Sequence, residues 1–342
     1  MQSAPAALRV ALAALRGAAA GLLLTLAAPA AAQGVPQPVF APHSPAVLDG
    51  GRRLEPVEPI AATHVPANLL ALPQTLRHVL LADLERNRLF LYAHRGGELE
   101  LLRSMYLSIG RAGYGKQVEG DLLSPVGIYT IVDWLPGERL PPLYGDGAWP
   151  VDYPNALDHY EGRTGHGIWL HGNPPAVSGR RRAPRSSEGC LTLANSDLRG
   201  LADFVRLRET PLIFADRVDW LQPGERVAAA AAAHRLLEQW EVAWESLDAE
   251  ELASFYWPEA RIGGLRHADF LARKAQVNAG KDWIDVRLED VAIYRYPGPQ
   301  PRLQVDFTQH YDSSNYAASS RKRQYWEEGR DGRWRILLET EL

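Results

Sequence analysis

A single cysteine, Cys190, stands in a chain of 342 residues whose first 32 read as an export signal. That pairing constrains the fold strongly, because exported domains with small cores ordinarily rely on disulfides. One cysteine cannot pair within its own chain, so any domain here has to be held by burial of apolar surface. The composition permits this: 46% of residues are apolar and 23% charged, an ordinary globular balance. Residues 1–32 carry Arg9 and Arg16 and no acid, then an apolar run from Ala18 to Ala28, then Ala30-Ala31-Ala32 before Gln33. This is the pattern of a secretory signal with a small-residue cleavage site. The run is short for a membrane span, and no cysteine near the cleavage point offers a thiol to a lipid. A soluble protein outside the cytoplasm is expected, its net charge moving from −4 to −6 once the two arginines are removed. Neither charge favours nucleic acid as a partner, and no phosphate-cradling glycine loop is present.

Length leaves room for two domains after a leader and a linker. Residues 33–74 are rich in proline and alanine without sustained periodicity and read as a linker or extended arm. Residues 75–218 are mainly β: apolar and alternating runs predict strands over 78–83, 88–92, 99–109, 126–132, 165–171 and 210–215, with one short helix over 195–204. Beyond Gln222-Pro223-Gly224 the pattern changes to helices over 225–246, 249–255 and 267–279. Alternating strands follow through Ile284, Val286 and Leu288, then Leu303, Val305 and Phe307, and a meander around Gly329-Arg330-Asp331-Gly332. Helices first and an antiparallel sheet afterwards predict an α+β domain over 228–342. Its aromatics, Tyr256, Trp257, Trp283, Tyr294 and Tyr311, are expected mostly in the core. The short join at 222–224 predicts that this domain folds alone, and that deleting it spares the β-rich half.

The chemistry concentrates around Cys190. It ends Ser187-Glu188-Gly189-Cys190, nineteen positions after His171, which closes the run Gly167-Ile168-Trp169-Leu170-His171-Gly172. A thiol is nucleophilic as the thiolate, and an imidazole can take its proton. Gly189 permits a sharp turn that aims the amides of Gly189 and Cys190 at a developing oxyanion. His166, five positions before His171, falls on the opposite side of a strand and reads as a residue of the groove margin. One cysteine and scattered histidines give no zinc-type spacing, so no metal and no cofactor are expected.

Gly115-Lys116-Gln117-Val118-Glu119-Gly120-Asp121, Ser124-Pro125-Val126-Gly127-Ile128-Tyr129, Tyr153-Pro154-Asn155, the Gly165–Gly172 run and Ser187-Glu188-Gly189-Cys190 occur in this order. Together they resemble the YkuD-type L,D-transpeptidases over residues 75–218. The resemblance implies a mainly-β catalytic domain in which Cys190 attacks a peptidoglycan stem peptide, releases D-alanine and passes the acyl group to an amine. It implies His171 as base, Gly172 as the carbonyl that orients its ring, and a periplasmic place in cell-wall and cell-shape biogenesis. Ser187, Glu188, Thr192, Arg185, Trp169 and His166 become the expected substrate-binding residues. Two positions depart from the family pattern: Glu188 stands where histidine is usual, and Thr192 where arginine is usual, two residues after the cysteine. The cluster Arg180, Arg181, Arg182 and Arg185 is either the missing cation or a solvated loop. Residues 228–342 resemble the SnoaL-like cone fold, an α+β module that would hold substrate or a periplasmic protein partner. Water as acceptor, giving a carboxypeptidase or endopeptidase, and a catalytically silent peptidoglycan-binding protein are the alternatives.

Overall fold

The computed structural model describes residues 64–177 and 182–342. The leader assigned to residues 1–32, residues 33–63 of the linker, and Arg180 and Arg181 lie outside the described residues. Among those described, no helix is long and apolar enough to cross a membrane.

The first half is built on one curled sheet. Its strands lie in the order Gly127–Thr130, Pro211–Ala215, His78–Asp83, Arg88–Arg95, Glu98–Gly110, Leu191–Leu193, Trp169–His171, Gly147–Pro150 and Leu135–Pro136, with Arg185–Ser187 also paired to Glu98–Gly110. The period of two along the central strands splits their apolar residues between two cores. Leu80, Ala82, Leu89 and Leu91 enter one, whereas Val79, Leu81, Phe90 and Tyr92 enter the other. Both faces are therefore covered, and these strands read as continuous apolar runs.

The second face is covered by the C-terminal half, so the two domains pack on one another through a shared cluster. Val79, Leu81, Phe90, Tyr92, Ile128 and Ile213 pack in one cluster with Ala292, Tyr294, Tyr296, Tyr325, Leu337 and Leu338 of the C-terminal half. Polar contacts cross the same boundary. Asn155 Nδ2 donates to Ile128 O and to Tyr296 Oη, and the Arg302 guanidinium pairs with both Glu161 and Glu327.

The supposed linker takes part in this junction. Val65–Pro66 pairs with Trp220–Leu221, and Leu69–Ala71 becomes the edge strand of the C-terminal sheet beside Ile284–Arg295. Leu69 and Leu70 are fully buried. Strands of two and three residues separated by Ala67 and Asn68 are too short to print a period.

The C-terminal half opens with helix Pro223–Glu245. Pro223 occupies its first turn, and the Glu225 carboxylate accepts from the Gln222 backbone amide at 2.7 Å. Ala233, Leu236, Leu237, Trp240 and Trp244 turn one face of it onto the sheet. That sheet runs Leu265–Arg266, Tyr256–Ile262, Trp334–Glu341, Tyr316–Glu328, Arg302–Ser313, Ile284–Arg295 and Leu69–Ala71. Strand Tyr256–Ile262 was not legible, because Pro258 and Glu259 interrupt its alternation. Tyr256 and Tyr294 are core as expected, whereas Trp283 is exposed.

Candidate active site

Strand Leu191–Leu193 sits between the long strand Glu98–Gly110 and strand Trp169–His171. Thr192 registers with Ser108 on one side and with His171, in parallel, on the other. Cys190 precedes this strand by one residue. Within the strand the Thr192 hydroxyl lies 3.4 Å from His171 Nε2.

The turn that delivers the cysteine is tied at several points. Ser187 Oγ donates to Cys190 O at 2.6 Å, and the Gly189 amide donates to Ser187 Oγ at 3.2 Å. Buried Ser124 donates through Oγ to Gly189 O at 2.8 Å and accepts from the Gly110 amide at 2.9 Å. Gly189 has φ +129°, and a Cβ there would stand 2.9 Å from Leu123 O. Only glycine is at ease at such a position.

The imidazole is fixed from the other ring nitrogen. His171 Nδ1 is 2.8 Å from Gly172 O, so it carries the proton and donates, leaving Nε2 as the acceptor. Burial of His171 pushes its pKa down to about 4, against the raising effect of the Gly172 carbonyl, and the Arg182 charge lowers it further. Tyr144 flanks the ring edge-on at 5.0 Å and packs on Trp169 at 4.7 Å.

The thiol itself is held protonated. Burial pushes Cys190 up to about 11; the Trp169 amide, Arg182 and Lys116 work in the opposite direction, while Glu188 reinforces the rise. Cys190 Sγ donates to Gly167 O at 3.3 Å. In this substrate-free arrangement the pair is therefore neutral thiol and neutral imidazole. Moving the proton to Nε2 creates two opposite charges together, and their attraction offsets the burial cost that each would meet alone.

The expected substrate-binding residues separate into two groups. Glu188 is 80% exposed at the rim, 3.6 Å from Arg111, and exposed His166 stands 3.8 Å from Glu119. His166 lies outside any strand, because Gly165 and Gly167 have positive φ and the pairing is confined to Trp169–His171. Half-buried Trp169 joins Tyr144 in a wall of the site. Ser187 and Thr192 are buried and bonded within the protein, so their geometry is that of scaffold rather than of groove. Arg185 is exposed with its guanidinium beside Gly113, whereas Arg182 is the arginine whose charge reaches both Cys190 and His171.

Sequence reasoning passed over Tyr144 and the role of Lys116. Tyr144 sits on a short turn, Pro142–Tyr144, remote in the chain from either motif. Lys116 did lie within a quoted motif; it is buried and paired to Asp121 at 2.8 Å. Among the described residues, no three His, Cys, Asp or Glu side chains come together as metal ligands.

Residues 77–214 match the family model of the L,D-transpeptidase catalytic domain, YkuD, and residues 232–340 match that of the Cds6 C-terminal NTF2-like domain. The chain is a YkuD domain joined to an NTF2-like, or SnoaL-like, domain. The same two-domain architecture occurs in solved structures. Bd1075 of Bdellovibrio bacteriovorus is 28% identical with a TM-score of 0.71, over 81% of this chain and 98% of that one. The helical cell shape determining protein Pgp2 of Campylobacter jejuni is 25% identical with a TM-score of 0.64, over 81% and 94%. No curated protein matches the chain. The YkuD match makes this a peptidoglycan-related protein of the L,D-transpeptidase fold.

Proposed function

We propose that the protein is a periplasmic cysteine acyltransferase that forms a thioester on Cys190 from a peptidoglycan stem tetrapeptide. The observations that support this reading are a half-buried thiol one residue before the strand that pairs with Trp169–His171, and an imidazole whose Nδ1–H is committed to Gly172 O, leaving Nε2 to accept a proton. His171 Nε2 takes the Sγ proton as sulfur attacks the carbonyl between the third residue and the terminal D-alanine. The Gly189 amide is engaged by Ser187, which leaves the Cys190 amide as the donor for the oxyanion. Collapse of the tetrahedral adduct breaks the peptide C–N bond, and the imidazolium gives its proton to the departing amine of D-alanine. An acceptor amine then attacks the thioester, loses its proton to Nε2, and the thiol is restored.

Water is the second acceptor, giving an L,D-carboxypeptidase, and the solvent exposure of Glu188, whose charge reaches the sulfur, favours it. In this reading the NTF2-like domain serves to keep the enzyme on intact sacculi or on a periplasmic partner.

The test is to incubate purified protein with sacculi, digest them, and weigh the muropeptides. Cross-linked or exchanged products indicate an amine acceptor; tripeptides with free D-alanine indicate water. A carbapenem should add once to the wild-type mass and not to Cys190→Ala. An adduct on the alanine variant, or unchanged muropeptides from folded wild type, would overturn the proposal.

A further inference from the structure

Arg182 belongs to none of the motifs that mark this site, yet it is built into it. Its Nε donates to Ser186 Oγ at 2.6 Å and its Nη2 to Ser186 O at 3.0 Å, while its own carbonyl accepts from Tyr106 Oη at 2.8 Å. Ser186 Oγ is in turn 2.8 Å from Ser108 Oγ, on the long strand beside Thr192. The fork is thus clamped on two of its three nitrogens. The third, Nη1, is buried and has no acceptor among the described residues.

A guanidinium stays charged at any pH the protein meets. Burying one of its N–H groups without an acceptor is costly, and an anion forming beside it would offset that cost. An anion whose charge reaches Arg182 is the Cys190 thiolate. Each group senses the other: the Cys190 charge raises Arg182, and the Arg182 charge lowers Cys190.

We infer that Arg182 Nη1 receives the Cys190 thiolate when His171 takes its proton, so that the nucleophile works as a guanidinium-paired sulfur. The inference rests on Cys190 being the nucleophile. The thiol loses its bond to Gly167 O, the proton moves to Nε2, and the negative sulfur gains the Nη1–H; no electrons are exchanged. Arg182 then supplies, from a preceding loop, the positive charge that Thr192 cannot supply from the strand.

The other groups facing the sulfur do not take this part. Lys116, whose charge lowers the thiol less than that of Arg182, is held in an ion pair by Asp121; Glu188 opposes the thiolate, and the Tyr144 phenol is kept protonated by burial and by the charges of Cys190 and Glu188. His171 is itself discouraged from charging by Arg182.

The test is the pH profile of iodoacetamide alkylation, read by intact mass on a chain with a single cysteine. An opposite charge within about 4–6 Å moves a pKa by roughly 1–3 units. Arg182→Gln should therefore shift the thiol profile upward by about one unit or more, slowing alkylation about tenfold below the pKa. Ser186→Ala loosens the clamp but keeps the charge, and should shift it less. An unmoved profile in folded Arg182→Gln overturns the inference and leaves Arg182 as a loop tie. If that variant does not fold, Arg182→Lys, with a single ammonium in place of the fork, is read instead: a smaller upward shift is expected, and no shift refutes it. Alkylation needs no peptidoglycan, so a shifted profile with no muropeptide product would sink the proposed function and not the role of Arg182.

Discussion

Replacing Leu69 by alanine tests whether the two halves are one cooperative structure. Leu69 has 0% exposure and lies in the short strand Leu69–Ala71, at the edge of the C-terminal sheet. Its side chain enters the cluster that also holds Val79, Leu81 and Phe90 of the catalytic half and Tyr294 and Tyr325 of the other. Truncating a fully buried leucine costs about 2–5 kcal/mol, the upper part of that range where neighbours cannot collapse. Walls formed by strands of two sheets are such neighbours. Against a typical total of about 5–15 kcal/mol, and at roughly 2–4 °C per kcal/mol for a chain of this size, melting should fall by about 4–20 °C. Scanning calorimetry gives the size of the shift, and hydrogen exchange read by mass on strands His78–Asp83 and Arg302–Ser313 gives its reach. Both strands should lose protection together. Leu143→Ala, at a residue 48% exposed, is the control and should move melting by less than about 2 °C. Two separate transitions, with His78–Asp83 unchanged in Leu69→Ala, would refute the shared core. By the same reasoning, deletion of 228–342 should yield an aggregating catalytic half, because the face carrying Leu81, Phe90 and Ile213 loses its cover.

Gly189→Ala should lower carbapenem acylation by 100-fold or more, and destabilise the protein by about 1–3 kcal/mol from backbone strain, because its Cβ would meet Leu123 O at 2.9 Å; near-wild-type acylation would dismiss the tied turn. Because burial lowers the folded-state pKa of His171 to about 4 from an ordinary 6.5, its contribution to stability is complete above pH 6.5 and is lost as pH falls from 6.5 toward 4. Urea midpoints of wild type and His171→Gln, measured from pH 7.5 to 4.5, should therefore converge with falling pH, and parallel curves would contradict the assignment. Thr192→Val removes the hydroxyl that occupies Nε2 while the Gly172 bond still orients the ring; acylation should rise by about 2–10-fold, the equivalent of one net hydrogen bond of roughly 0.5–1.5 kcal/mol, and a fall would make Thr192 a needed support. Glu188→Gln should speed iodoacetamide alkylation slightly, since the carboxylate raises the thiol pKa from an exposed position, and should slow turnover of stem peptides; acceleration of both would make Glu188 a brake alone.

What the sequence determined by itself is local. A glycine next to the sole cysteine, a histidine closing an apolar run, the period of two in 78–83 and 88–92, and Pro223 opening a helix each act within a few residues. The turn at Cys190, the strand ends and the start of helix Pro223–Glu245 were legible for that reason. The tertiary structure decided everything that depends on which surfaces meet. Val79 and Leu81 carry the same apolar character as Leu80 and Ala82, and nothing within that strand says that one pair faces the NTF2-like domain. Leu69–Ala71 is a strand only because Ile284–Arg295 offers it an unpaired edge. Arg182 and Arg185 are indistinguishable as arginines in one loop, yet Arg182 is clamped on Ser186 and its charge reaches Cys190 and His171, whereas Arg185 lies beside Gly113. The ionisation of Cys190 and His171 follows the same rule: the residue types make a proton transfer conceivable, but burial and the charges arriving from distant loops set which states the pair occupies, because desolvation and Coulomb forces act through space and take no account of chain order.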